Sequence, residues 1–189
     1  HLTPFPDEST KAMIDRRGLE ETRHFYESQA LAIDRIEEIV AAEKIDCNFR
    51  RLSGYLFPGP TTEEAEIDEE LSANRKAGVP IADGRGLPFK GMDKTRCLEF
   101  LNQGTFHPLQ YLAGLAQAIR RRGGRLYANT AATTYEEDAD GVVIATEGGP
   151  RLRGRCAIFA TNSPITNRRS STASRRPIAP MRSPSRSSA

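Results

Sequence analysis

Tryptophan is absent from this 189-residue chain, cysteine and histidine occur three times each, and no acidic residue follows Ile165. Each scarcity excludes something. Cys47, Cys97 and Cys156 are odd in number and far apart, with no C-x-x-C pair and no histidine at ligand spacing. Neither a disulfide framework nor a zinc or other metal site is expected, and a reducing, cytoplasmic compartment fits. No apolar run approaches the roughly 20 residues that span a bilayer as a helix, and the first residues do not resemble a signal peptide. No membrane partner is expected. None of the histidines stands with a serine or cysteine in a nucleophile motif, so hydrolysis through such a pair has no support.

Other apparent motifs reduce to structure. "DGRGLPFKG" offers G-x-G at Gly84 and Gly86, but no strand is expected before it and Pro88 interrupts any helix after it, so it reads as loop. The acidic run Glu63 to Glu70 lacks the loop spacing of a calcium hand and reads as a solvated helix face. His24 falls on the polar side of a helical pattern, and His107 stands where a helix cap would.

The formal charge of +2 hides an asymmetry, because six of the 27 basic residues are arginines of the acid-free tail (Arg168, Arg169, Arg175, Arg176, Arg182 and Arg186). The rest of the chain then carries 21 basic against 25 acidic residues. A nucleic-acid footprint on that body is not expected. The tail by composition is disordered. It also supports a rival reading of the whole chain, a non-enzymatic binding module whose arginine and serine residues contact nucleic acid or acidic partners.

Periodicity supplies the elements. Leu19, Tyr26, Ala30, Ile33, Ile36 and Val40 recur at helical spacing and predict a long amphipathic helix from Leu19 to Glu43. "CNFRRLSGYLFPGP" alternates around Gly54 and predicts two short strand pieces with a bend or bulge. A threonine cap, acidic first turn and Gly78 predict a helix from Thr62 to Ala77, and "VPIADGRGLPFKGMDK" reads as loop. "FHPLQYLAGLAQAIRRRGG" predicts a helix from Pro108 to Arg122 with Leu109, Leu112, Leu115, Ala116 and Ile119 as its apolar face. Three runs of strand character follow, separated by "DADG" and "GGP" turns, and Ala157 to Ala160 reads as the end of a buried strand.

Taken together, "HLTPFPDE…FRRLSGYLFPGP…NQGTFHPLQYLAGLAQAIRRRGGRLYANT…ATEGGPRLRGRCAIFATNSPI" resembles the FAD-dependent oxidoreductases of the glycine and D-amino-acid oxidase type, over residues 1 to 165. The resemblance implies an α+β or α/β chain: part of an antiparallel-sheet substrate domain with connecting helices over 1–106, the second half of a Rossmann-like FAD-binding domain over 107–165, and a tail over 166–189. It implies FAD as cofactor and a small-molecule amine or amino acid as substrate. It places the main chain of Ala132 near the adenine, and Ala160, Thr161 and Asn162 in the small-residue turn that passes under the dinucleotide. Tyr55, in the glycine-aromatic-leucine strand, and His107, before the helix, go to the substrate side. No catalytic residue is implied.

The chain departs from the family in two places. It has no strand, G-x-G-x-x-G turn and following acidic residue, and since it opens at His1, an upstream segment carrying them is expected. The fragment is then expected to be inactive by itself. Relatives continue past the last turn with a string similar to "IHSKQAPYRTYAIA", and codons can be chosen for "STASRRPIAPMRS", from Ser171, that a one-base shift re-reads as most of that string. The resemblance therefore implies a frameshifted tail. Some relatives carry a C-terminal Rieske domain, but its Cys-His ligand motifs are absent here and no cluster is expected.

Overall fold

The computed structural model describes residues 1–59 and 64–161. The expected threonine cap at Thr62, the turn residue Asn162 and the arginine-serine tail lie outside the described residues. The chain divides into two compact units, His1–Leu126 and the residues from Tyr127 on.

The first unit begins with helices α1 (Thr10–Arg17) and α2 (Leu19–Glu43). Gly18, at φ +88°, separates them, a conformation open to glycine without steric cost. The long α2 has the bounds its periodicity predicts. Strand β1 (Arg50–Leu56), helix α3 (Glu64–Ala77) and strands β2 (Ile81–Arg85) and β3 (Arg96–Thr105) follow, and α4 (Pro108–Arg121) closes the unit. The three strands form an antiparallel sheet in the order β1-β3-β2. Leu98 and Phe100 on β3 join Met13, Tyr26, Ile67, Leu71, Ala77 and Val79 in one core, so α1, α2 and α3 cover one face of the sheet.

Two expectations need correction here. Ile81 to Arg85, read as loop, is an edge strand whose every residue pairs with β3 from Arg96 to Phe100. Glycine and aspartate lower strand propensity, but an edge position tolerates them once a long apolar partner strand supplies the ladder. Gly84 therefore lies within β2 and is not loop, but no helix starts directly after the strand, so the G-x-G lacks the strand-turn-helix setting of a phosphate site. The predicted bulge at Gly54 exists, but the extra residue is on the partner strand: Leu52 faces Gln103 while Gly54 faces Phe100, two steps against three. Asn102, at φ +62°, absorbs the irregularity.

Helix α4 forms where predicted, but it does not bury the face predicted for it. Leu109, Leu112 and Ile119 are exposed, and Ala118 is its buried residue. A side chain at Gly114 would run into Ile45. The helix approaches the end of α2 through small residues, and Arg121 and Arg122 reach Glu43 at 3.0 and 2.5 Å. This close approach outweighs the larger leucine stripe, since packing needs shape as well as apolar area.

The second unit holds an antiparallel meander of β4 (Ala132–Asp138), β5 (Gly141–Thr146) and β6 (Arg151–Gly154). The turns fall where "DADG" and "GGP" place them. Asp138 Oδ1 accepts the backbone N–H of Asp140 at 2.9 Å, and Gly141 faces the Gly154 carbonyl so closely that no Cβ fits. Ala157 to Ala160, expected as a buried strand end, is irregular, with Ile158 90% exposed. Among the described residues no strand pairs with it, so its apolar side chains lack the two covered faces that such a sequence suits.

Candidate functional site

The bulge in β3 shapes a cavity of about 570 Å³ in the first unit. Along β3 the core face takes Leu98 and Phe100; Leu101 and Asn102 are then both exposed, and Gln103 is buried at 3% exposure. Strict alternation would have pointed Gln103 outward. The extra residue instead turns its carboxamide inward, over Gly54, where any Cβ would collide with it. Arg51 holds this geometry by donating to the Asn102 carbonyl at 2.9 Å while its other nitrogens reach Asp34 and Glu37 of α2, both at 2.6 Å.

Phe5, Phe57 and Phe100 give the cavity an apolar wall, Gln103 adds a polar side chain, and Tyr55 is also among its lining residues. This mixture suits a small organic ligand. Tyr55 faces Glu99 across the strands and donates to its Oε1 at 3.4 Å. Partial burial, followed by the negative charge of Glu99, raises the phenol above its ordinary pKa. Gln103 Oε1 is buried and has no hydrogen-bond partner among the described residues.

The sequence-predicted residues fall in different places. Tyr55 lines the cavity and His107 does not. His107 instead caps α4: its Nδ1 accepts from the Gln110 N–H at 3.4 Å, and its own N–H donates to the Cys47 carbonyl at 2.7 Å. Ala132 opens β4 opposite Thr146 in the second unit, with its side chain exposed. Ala160 and Thr161 lie in the exposed irregular run after β6. Gln103 and Glu99 were not singled out from sequence. The signal for Gln103 was present in "LEFLNQGT", where an apolar alternation breaks at Asn102-Gln103. Glu70, grouped with the solvated acidic face, is in fact buried.

The sequence profile of the family described as FAD dependent oxidoreductase (DAO) matches residues 9–186. The chain belongs to this family. A curated relative, "Putative Rieske 2Fe-2S iron-sulfur protein YhfW" of Bacillus subtilis (strain 168), is 31% identical over 148 residues, covering 78% of this chain and 29% of its own. Among solved structures, glycine oxidase from Geobacillus kaustophilus superposes with a TM-score of 0.56 at 19% identity, over 82% of this chain and 40% of the oxidase. L-amino acid deaminase from Proteus vulgaris gives 0.51 at 20% identity, over 68% of this chain and 32% of the deaminase. These two share the fold, a mixture of helices and antiparallel sheet. The chain spans less than half the length of each relative.

The family is FAD dependent. Ala132 and Ala160 put no bulk beside their main chain, so a dinucleotide could approach it closely. A pyrophosphate cradle needs a glycine-rich turn from a strand into a helix N-terminus. Among the described residues none of the four helices starts that way. No group of histidine, cysteine and acidic residues able to hold a metal occurs among the described residues, and none of the described helices is long and apolar enough to cross a membrane.

Proposed function

We propose that this chain forms part of a flavoenzyme that oxidises a small amine or amino acid. The first unit holds the substrate, and the second lends main chain to the adenosine end of FAD. The match to the family over residues 9–186 carries the reading, and the cavity around Tyr55 supports its substrate half. When bound, FAD would supply a two-electron acceptor for oxidation at the carbon that bears nitrogen. This chain's residues bind and orient. Phe5, Phe57 and Phe100 keep water from the ligand's carbon skeleton.

Ala132, Ala160, Thr161 and Asn162 make up the cofactor-side set. Without a glycine-rich cradle they supply only a fraction of the contacts to FAD, so the chain alone holds FAD weakly and turns over no substrate. Each 1.4 kcal/mol of lost contact lowers affinity about tenfold.

Titration of FAD with the full 189-residue chain, followed by quenching of flavin fluorescence, tests this. Weak saturable binding that falls further in Ala132→Glu and Ala160→Glu is expected. Tight stoichiometric binding, or binding indifferent to both substitutions, would overturn it.

A further inference from the structure

Two hollows of the first unit share one wall. The cavity of about 570 Å³ around Gly54 and a second hollow of about 450 Å³ toward Ala30 and Gly78 have Phe5 and Tyr26 in common, and no other described residue lines both. The two rings stand between them, with centroids 5.3 Å apart.

These rings are held in different ways. Tyr26 belongs to α2 and is 6% exposed, and its hydroxyl is hydrogen-bonded to Thr10 at 2.7 Å within the polar network of the helices. It is a fixed post. Phe5 belongs to no helix or strand. It sits on a strap, residues 3–8, tied at one end by the bridge between Leu2 and Gly104 and at the other by the Ser9 cap of α1. Between those ties Pro4 and Pro6 have no N–H to donate, and among the described residues no backbone–backbone hydrogen bond joins the strap to another element. The Phe5 amide finds only Thr3 Oγ1, at 3.2 Å. Past the buried Pro4, the strap is held by the edge-on contact of Phe5 with Phe100, at 4.2 Å between centroids, and by a largely exposed ion pair of Glu8 with Arg16. A segment with so few backbone bonds opens locally at far less cost than the core on which it lies.

We propose that Phe5 is a gate. Swinging out with residues 5–8 while Tyr26 stays in place, it joins the two hollows into one site and so admits a ligand too long for the first alone. The proposal rests on the reading above only in taking the first cavity as the substrate site. Opening the gate needs no flavin, so its failure and that of the FAD titration are separable.

The test uses the full chain, isotope-labelled for NMR, and 1-octanol as an uncharged probe long enough to need both hollows. Octanol should shift the resonances of Gly54 and Leu56 on one side and of Ala30 and Gly78 on the other with a single midpoint, while the NOEs between the Phe5 and Phe100 rings disappear. Apparent affinity is reduced by the fraction of molecules that stand open, so Phe5→Ala, which removes the ring that must move, should tighten octanol about tenfold. Octanol that shifts one set alone, leaves the Phe5–Phe100 NOEs in place or fails to bind would overturn the proposal, as would an unchanged affinity in Phe5→Ala. If Phe5→Ala fails to fold, the resonances and NOEs of the unaltered chain decide alone.

Discussion

Glu70 on α3 accepts the backbone N–H of Thr10 at 2.8 Å, closing the start of a helix 60 residues away in sequence. Its other oxygen takes the Lys11 N–H at 3.3 Å, and Ser9 caps Ala12 at 3.1 Å, so the first turn of α1 has its donors satisfied. Asn74 donates to the same carboxylate at 2.9 Å, and Thr10 Oγ1 bridges Asn74 and Tyr26. The three helices over the sheet are thus joined by one buried polar network, where partial loss costs more than a surface bond.

Glu70→Ala should therefore destabilise the chain by about 2–4 kcal/mol, because it leaves the Thr10 and Lys11 N–H groups of α1 without their acceptor and removes one of the two bonds donated by the Asn74 amide. Glu70→Gln keeps one acceptor and should cost less. Urea unfolding of the three proteins checks the order, and an Ala variant within about 0.5 kcal/mol of the parent would show that α1 does not depend on this cap.

The face that α4 buries gives a second expectation. Leu112→Gln should change stability by no more than about 0.5 kcal/mol, as expected of an exposed site. Ala118→Leu should cost about 1–3 kcal/mol, because Ala118 is the buried residue of α4 and a branched side chain would overfill its site. The reverse order would restore the leucine stripe as the packing face.

What could be read in the sequence follows from how local its cause is. Helices α2 and α4 have local causes: a repeating apolar stripe, Pro108 at the start of α4 and Gly123 after it. The edge strand β2 does not, since Ile81 to Arg85 becomes strand only because β3 lies beside it. The burial of Gln103 depends on a single bulge at Asn102 and on Arg51 reaching across from β1. No periodicity shows that combination. Glu70 sits in a run of carboxylates and is distinguished from them only by the helix it meets in space. For Ala157 to Ala160 the apolar pattern suits a strand, but a strand also needs a neighbour, which a one-dimensional pattern cannot supply.

Asp138 offers a pH test in the second unit. Its carboxylate accepts the N–H of Asp140 and meets Arg153 at 2.6 Å, and these contacts, the backbone one foremost, hold its pKa below the ordinary 3.8. A depressed folded value means that the contribution to stability is complete above the unfolded pKa and is lost as pH falls through the folded one. The Asp138 side-chain carboxyl resonance should therefore titrate below 3.8, and Arg153→Ala should move it upward. A midpoint at the ordinary value in the unaltered chain would mean that the turn contact does not form in solution.

The contact between Gly54 and Gln103 carries the cavity, and it can be tested without any ligand. A methyl at position 54 would meet the carboxamide on all three of its outer heavy atoms, so Gly54→Ala must displace either the strand or the Gln103 side chain. The expected cost is about 1–3 kcal/mol, in the range for overfilling a packed site. Gln103→Ala removes the obstacle, and in that background the same Gly54→Ala change should cost less by about 0.5–3 kcal/mol, the range for residues in direct contact. Unfolding the two single variants, the double variant and the parent in urea gives the coupling. Strict additivity would mean that Gln103 does not lie over Gly54, and the inward turn of β3 at Asn102, with the cavity wall it builds, would then be wrong.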